Sequence, residues 1–355
     1  MHIKIDRQVL SSKLALLAGV IERKATIPIL ANVLLRTNGQ RLELAATDLE
    51  RALSGAAAAE VIEGGAITVP VKKLRDYVSL LADGQVVIST DDRNWVTVKA
   101  GRSRARIPGI GVENFPDIPS ADGAPSFTAP AGDVLGLFAR VRHAISREES
   151  RFALNAALLE VAEDSMMAVA TDGHRLAWSR IPLKDGIDLR GVIPPSAMDS
   201  AEKLGDGEMT VAMNDSNWFF AVGEHKLACR RASVSFPAYA EILPKYESSV
   251  TLGRKGFMAT INRVAQFGPI IRLAFDGSGL NLAGSAVGVG DSSEMLECAW
   301  AGDPLELGFT ASYLTDALSA CGTEQVRLFL KDGKSMAEIR PAEGDGCRML
   351  VMPHR

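Results

Sequence analysis

The chain has 355 residues, 47% of them hydrophobic and 23% charged, with a net charge of −4. That length supports two or three domains with their own cores, and the mild acidity excludes a uniformly basic nucleic-acid binder. Cys229, Cys298, Cys321 and Cys347 show no C-x-x-C spacing and no clustering with histidine. This excludes a zinc ribbon and fits reduced, mostly buried thiols.

The N-terminus, Met1 to Asp6, alternates polar and apolar residues like a strand and lacks the apolar region of a signal peptide. No stretch approaches the 18 or more apolar residues of a membrane span. A cytoplasmic protein without membrane contact is expected. Leu10, Leu14, Leu17 and Ile21 then fall on one helical face. Val69-Pro70 opens a second, shorter helix, because proline at a helix start forfeits no hydrogen bond. Val86 to Ser89 and Trp95 to Val98 read as strands.

The same order then recurs. A helix with Val134, Leu137, Phe138, Val141 and Ile145 opens a second unit, and one with Phe257, Ile261 and Val264 a third. Asp92-Arg93-Asn94-Trp95 matches Asp215-Ser216-Asn217-Trp218, Val69-Pro70 matches Ile193-Pro194, and Phe115-Pro116 matches Phe236-Pro237. In the third unit Leu280 to Gly284, Phe309 to Leu314 and Val326 to Asp332 occupy the corresponding places. The predicted units are residues 1–119, 126–245 and 250–355. Each is α+β, with two helices packed on antiparallel sheet, giving six helices per chain.

Charge is distributed unevenly over those helices. The six helical windows total +7, which leaves −11 for the rest of the chain, although residues 195–205 and 310–321 each carry −1. Basic helices in an acidic chain suit a polyanion channel. Aromatic residues are few (6%) and not interleaved with basic runs, so duplex held by its phosphates is expected rather than stacked single strands or base readout.

Catalytic chemistry finds little support. Asp172 and His174 lack a third group to orient them, the serine of Gly284-Ser285-Ala286-Val287-Gly288 is misplaced for a nucleophile elbow, and the five histidines lack metal-ligand spacing. No enzyme activity, cofactor or metal is expected. Asp172-Gly173 instead supplies a turn between strands, with His174 and Arg175 presented at a surface.

The motif Ala170-Thr171-Asp172-Gly173-His174-Arg175-Leu176-Ala177 resembles the central motif of the bacterial DNA polymerase III beta subunit (beta sliding clamp) family. A shortened echo, Ala46-Thr47-Asp48-Leu49-Glu50-Arg51-Ala52-Leu53, lies 124 residues upstream. Thr26 to Leu30, Thr68-Val69-Pro70, Gly101 to Arg104, Leu154-Asn155, Leu243-Pro244 and Val351-Met352-Pro353 extend the resemblance over essentially the whole chain. It implies three tandem DNA-clamp domains and two chains closing head to tail into a homodimeric ring around double-stranded DNA. Such a ring is a processivity factor that tethers the DNA polymerase III alpha subunit, the clamp loader and other clamp-binding-motif proteins. An alternative is a divergent second clamp copy with specialised partners or a role in inhibitor resistance.

Carried over by motif, the resemblance implies a partner-peptide pocket of Leu154, Thr171, Gly173, His174, Arg175, Leu176, Pro237, Ile242, Met336, Leu350, Val351, Met352, Pro353 and Arg355. It implies DNA contacts from Arg23, Lys24, Lys72, Lys73, Arg140, Arg147 and Arg151. The dimer interface would involve Arg102, Arg104, Gln266, Phe267 and Glu294.

Overall fold

A computed structural model describes all residues except 22–26, 233, 247, 345 and 355. Six α-helices occur among the described residues: α1 (Arg7–Leu17), α2 (Val71–Ser79), α3 (Ala131–Arg142), α4 (Pro195–Ala201), α5 (Arg254–Val264) and α6 (Ala311–Cys321). They alternate with antiparallel sheet in the order that the repeats predict.

Local chemistry explains these helices. Asp6 caps α1, its Oδ1 accepting from the amides of Gln8 at 2.8 Å and Val9 at 3.1 Å. Leu10, Leu14 and Leu17 are buried on one face. The helix stops at Leu17, short of the predicted Ile21. Gly19 follows with its amide on the Leu16 carbonyl, a tightened last turn. Likewise α3 ends at Arg142, and Ile145 is buried in the turn beyond it. Pro70 precedes α2 and Pro195 opens α4, whereas α6 begins after Thr310 without a proline.

The chain forms two compact units, Met1–Leu135 with Ser196–Arg231, and Gly136–Pro195 with Ala232–Arg355. Sheet topology explains why the middle repeat is shared between them. In the first unit an eight-stranded sheet runs in the order Ser126–Pro130, Glu208–Met213, Asn217–Val222, His225–Arg230, Arg51–Ala58, Arg41–Thr47, Asn32–Asn38, Ala66–Pro70. Its join pairs Leu227 with Leu53 and Cys229 with Arg51.

The second unit repeats the plan in the order Leu189–Ile193, Ala157–Ala162, Ser165–Thr171, Arg175–Pro182, Cys347–Val351, Ala337–Pro341, Gln325–Leu330, Ser248–Gly253. There the join pairs Arg175 with Val351 and Leu176 with Leu350. Two smaller sheets remain. The five-stranded one in the first unit ends on Ser103–Pro108, and the four-stranded one in the second ends on Gly290–Leu296.

The repeats also share turn chemistry. At equivalent hairpins Asp91, Asn214 and Asp332 each accept two amides of the following loop on one side-chain oxygen. Each carbonyl or carboxylate replaces a backbone acceptor in its turn, although the three loops differ in length. No described helix is long and apolar enough to cross a membrane.

Candidate partner-binding groove

The hairpin between Ser165–Thr171 and Arg175–Pro182 is built by Asp172. Its Oδ1 accepts the amides of His174 at 2.9 Å and Arg175 at 3.0 Å, and its Oδ2 accepts Arg175 Nε at 2.9 Å. Thr171 Oγ1 donates to the Arg175 carbonyl at 2.7 Å and accepts the Gly173 amide at 3.1 Å. Gly173 sits at φ 88°, where a side chain would be strained. Asp172 is thereby saturated by turn contacts, so it is not available as a base for His174.

Arg175 is less exposed than the sequence suggests, with 14% of its side chain accessible. Its Nη1 reaches Asp316 Oδ2 on α6 at 2.6 Å, and its guanidinium lies 4.4 Å from the Tyr313 ring centre. Two carboxylates and an aromatic face hold it, which explains its withdrawal from solvent. His174 remains exposed and stacks toward Tyr313 at 6.4 Å. Burial, and next the Arg175 guanidinium, depress the neighbouring His143 to a pKa of about 4.

Alternation along the strands sends Leu176 and Leu350, a cross-strand pair, to the opposite face from Arg175. There they form an apolar cluster with Ala156, Leu158, Val169, Val192 and Phe236. Met167, Trp178, Val234, Tyr239, Leu243 and Met336 pack against it and remain partly accessible. Tyr239 donates to Glu160 at 2.9 Å, which fixes its ring as a wall; burial and that carboxylate push its hydroxyl pKa up. A cleft of about 340 Å³ continues past Met167 and Trp178 to Glu160 and Arg180.

The predicted pocket residues therefore fall into two adjoining groups. Leu176, Met336 and Leu350 belong to the apolar cluster, with Pro237 and Ile242 exposed beside it and Ile242 half accessible at 50%. Thr171, Gly173, His174, Arg175, Val351, Met352 and Pro353 surround the hairpin tip, where the Met352 amide donates to the His174 carbonyl at 2.8 Å. Leu154 lies on the short turn Phe152–Leu154, which Arg151 ties to that tip by donating to the Asp172 carbonyl at 2.8 Å. Arg355 lies outside the described residues.

Sequence reasoning missed Phe236, Trp178, Tyr239 and Leu243 as walls, although Phe236-Pro237 already stood out as a repeat landmark. The equivalent face of the first unit carries smaller side chains. Ala52 and Ala228 stand there in a cluster with Ala212 and Phe219, and the adjacent cleft has Ser54, Gly55 and Ala56 on its floor.

Among the predicted DNA contacts, Lys72 and Lys73 are exposed on α2, Arg147 is exposed after α3, and Arg140 is half-buried on α3. Arg151 is engaged by Glu148 as well as by the hairpin. Arg23 and Lys24 lie outside the described residues. The helices α1, α2, α3 and α5 are net basic, while α4 and α6 each carry a single Asp and no Lys or Arg.

Of the predicted interface residues, Arg102 and Arg104 are exposed at the edge strand Ser103–Pro108 and the turn before it. Glu294 lies on the other edge strand, Gly290–Leu296, ion-paired to Arg263 of α5. Gln266 and Phe267 occupy the turn that follows α5. No group of three or more His, Cys, Asp or Glu residues able to hold a metal occurs among the described residues.

Family models for the DNA polymerase III beta subunit match residues 1–119 (N-terminal domain), 131–238 (central domain) and 240–355 (C-terminal domain). The beta sliding clamp of Pseudomonas aeruginosa is 33% identical over 368 residues, and that of Caulobacter vibrioides 32% identical over 373, with each alignment covering both chains fully. The crystal structure of the DNA polymerase III subunit beta from Pseudomonas aeruginosa superposes with a TM-score of 0.95 at 32% identity over 100% of both chains. Fold, motif order and full-length similarity agree: the chain belongs to the DNA polymerase III beta subunit, or beta sliding clamp, family and is built of three tandem clamp domains.

Proposed function

We propose that two copies of this chain close head to tail into a ring around duplex DNA. The ring is a non-catalytic processivity factor in the cytoplasm that tethers the DNA polymerase III alpha subunit, the clamp loader and other clamp-binding-motif proteins. One observation carries this reading. Within the chain, Arg51–Ala58 joins His225–Arg230 and Arg175–Pro182 joins Cys347–Val351. Each join links a strand of one repeat to a strand of the next.

The strand equivalent to Arg175–Pro182 in the third repeat is Gly290–Leu296, and the strand equivalent to His225–Arg230 in the first is Ser103–Pro108. Both end their sheets. A free edge attracts a pairing partner, and applying the same join between copies gives a heterologous contact that closes when the rotations sum to a full turn. Arg102, Arg104, Gln266, Phe267 and Glu294 border those edges. We assign the three domains to residues 1–119, 126–245 and 250–355.

Encirclement makes strong DNA contacts unnecessary. Arg23, Lys24, Lys72, Lys73, Arg140, Arg147 and Arg151 then supply mobile, sequence-independent phosphate contacts whose strength falls with salt. The groove of Leu176, Leu350 and Met336 takes an apolar peptide anchor, with the hairpin tip and the tail Met352-Pro353 alongside it. The test is retention on DNA. Protein loaded onto nicked circular DNA by a clamp loader stays bound through gel filtration and is lost when the circle is cut. Equal loss from circular and linear DNA refutes the topological mechanism.

A further inference from the structure

The groove's face of the second-unit sheet carries a charged feature that an apolar anchor leaves unused. Cross-strand partners share a face, so Arg348 beside Trp178, Glu338 beside Leu350, and Arg340 beside Arg327 all lie on the side of Leu176. Glu338 has no accessible side-chain surface. Its carboxylate accepts Arg348 Nε at 2.5 Å and Nη2 at 2.9 Å, and Arg340 Nε at 2.5 Å. One buried carboxylate thus anchors two guanidiniums and fixes their orientation.

Aromatic rings complete the arrangement. Arg340 lies 4.5 Å from the centre of the Phe329 ring and the exposed Arg327 lies 5.9 Å from it. Three guanidiniums against one carboxylate leave the cluster positive on a chain whose net charge is −4. The cluster is also continuous with the groove. Tyr246 packs 5.9 Å from Phe329 and donates its hydroxyl to the Met336 carbonyl at 2.9 Å, and Met336 packs on the apolar cluster.

We propose that this arginine–aromatic platform receives acidic residues flanking the apolar segment of a peptide seated in the groove. Partner choice then depends on the flank as well as on the apolar anchor. The inference rests on the groove reading given above. Guanidiniums held by a buried carboxylate are pre-oriented, so they bind a second carboxylate with little further loss of side-chain freedom. An acidic peptide fits better than nucleic acid because the platform lies on the opposite sheet face from Arg175, which is bound to the α6 side.

The experiment uses the full chain and two fluorescein-labelled peptides with the same Leu/Phe apolar centre, one flanked by glutamates and one by serines. At low ionic strength the glutamate peptide binds about three- to tenfold tighter, an advantage that shrinks as salt is raised, as expected for several partly exposed charge pairs. Arg327→Glu, at an exposed position, abolishes that advantage and leaves the serine peptide unchanged.

Equal affinity of the two peptides overturns the proposal, as does equal weakening of both by Arg327→Glu. So does displacement of the glutamate peptide by an oligothymidylate at lower concentration than by a glutamate peptide without the apolar centre. If the serine peptide fails to bind, the groove reading fails instead. The platform is then read from the labelled glutamate peptide lacking the apolar centre: binding that Arg327→Glu removes supports it, and no binding overturns it.

Discussion

Arg175 bonds Asp316 across 2.6 Å, pinning a hairpin of the second repeat to the second helix of the third. The arrangement recurs one repeat earlier. Arg51, held by Asp48 at 2.6 Å, donates to the Ser196 carbonyl at 2.8 Å and to Ser200 Oγ at 3.0 Å, both in α4. A Thr-Asp-x-x-Arg hairpin therefore does the same work twice, fastening its repeat to the next. The third repeat has no such pair at the equivalent hairpin, where Val287 and Val289 stand fully exposed and 61% exposed.

Removing this fastening has a measurable local consequence. Arg175→Ala leaves Asp172, 14% accessible, without its guanidinium and frees α6 from the hairpin. The cost lies between that of exposed and buried ion pairs, about 2 kcal/mol, or roughly a thirtyfold loss of amide protection in the hairpin and α6. Arg175→Lys recovers only part of it, because lysine cannot bond two carboxylates in one plane. Unchanged hydrogen exchange in α6 would contradict the role assigned to this pair.

The same pair shows where sequence reading succeeds and where it stops. Repeat order, helix faces and the Asp-Gly turn depend on residues close in the chain, so Leu10, Leu14 and Leu17 or Val69-Pro70 could be read directly. The bond from Arg175 to Asp316 spans 141 positions and needs a strand join that no local pattern announces. The apolar lining of the groove was hidden for a related reason. Leu176 and Trp178 in the second unit correspond to Ala52 and Ser54 in the first. This contrast becomes meaningful only once both strands are seen lining a face. Tyr239 was visible as part of Phe236-Pro237-Ala238-Tyr239, but its role as a wall depends on Glu160 across the sheet.

His143 makes the second unit sensitive to acid. Unfolded, its imidazole titrates near 6.5; folded, burial and Arg175 hold it neutral down to about 4. Between those values the unfolded chain binds more protons, so stability is full above about pH 6.5 and is lost as pH falls toward 4. The difference amounts to roughly 3 kcal/mol at most. His143→Gln should flatten that part of the stability curve, measured as urea midpoints of parent and variant from pH 7 to 4. Parallel curves for the two proteins would remove His143 as the cause.

Thiol reactivity checks the packing of both units and the reading of the cysteines as reduced and mostly buried. Cys229, Cys321 and Cys347 are buried and Cys298 is partly accessible. Burial pushes Cys229 up to about 12 and raises Cys298 as well. A neutral thiol is a poor nucleophile, so Ellman's reagent should modify Cys298 slowly in the folded chain and all four cysteines after denaturation. Rapid reaction of more than one thiol in the native protein would show that a core around Cys229, Cys321 or Cys347 opens readily.

Deletion of the tail from Met352 to Arg355 separates groove from assembly. The tail is held by its backbone: the Met352 amide bonds the His174 carbonyl at 2.8 Å and the His354 amide bonds the Gly308 carbonyl at 2.7 Å. Its loss uncovers one side of the hairpin tip but leaves the edge strands Ser103–Pro108 and Gly290–Leu296 intact. Peptide affinity should fall by about 1–4 kcal/mol, the range for removing an anchor from a packed groove, while the mass by light scattering stays that of the parent. Met336→Ala, a smaller change beside the strand Ala337–Pro341 that pairs with Cys347–Val351, should weaken the same peptide without altering assembly. Undiminished affinity in both variants would move the partner site away from this face, and a change in mass would tie the tail to assembly instead.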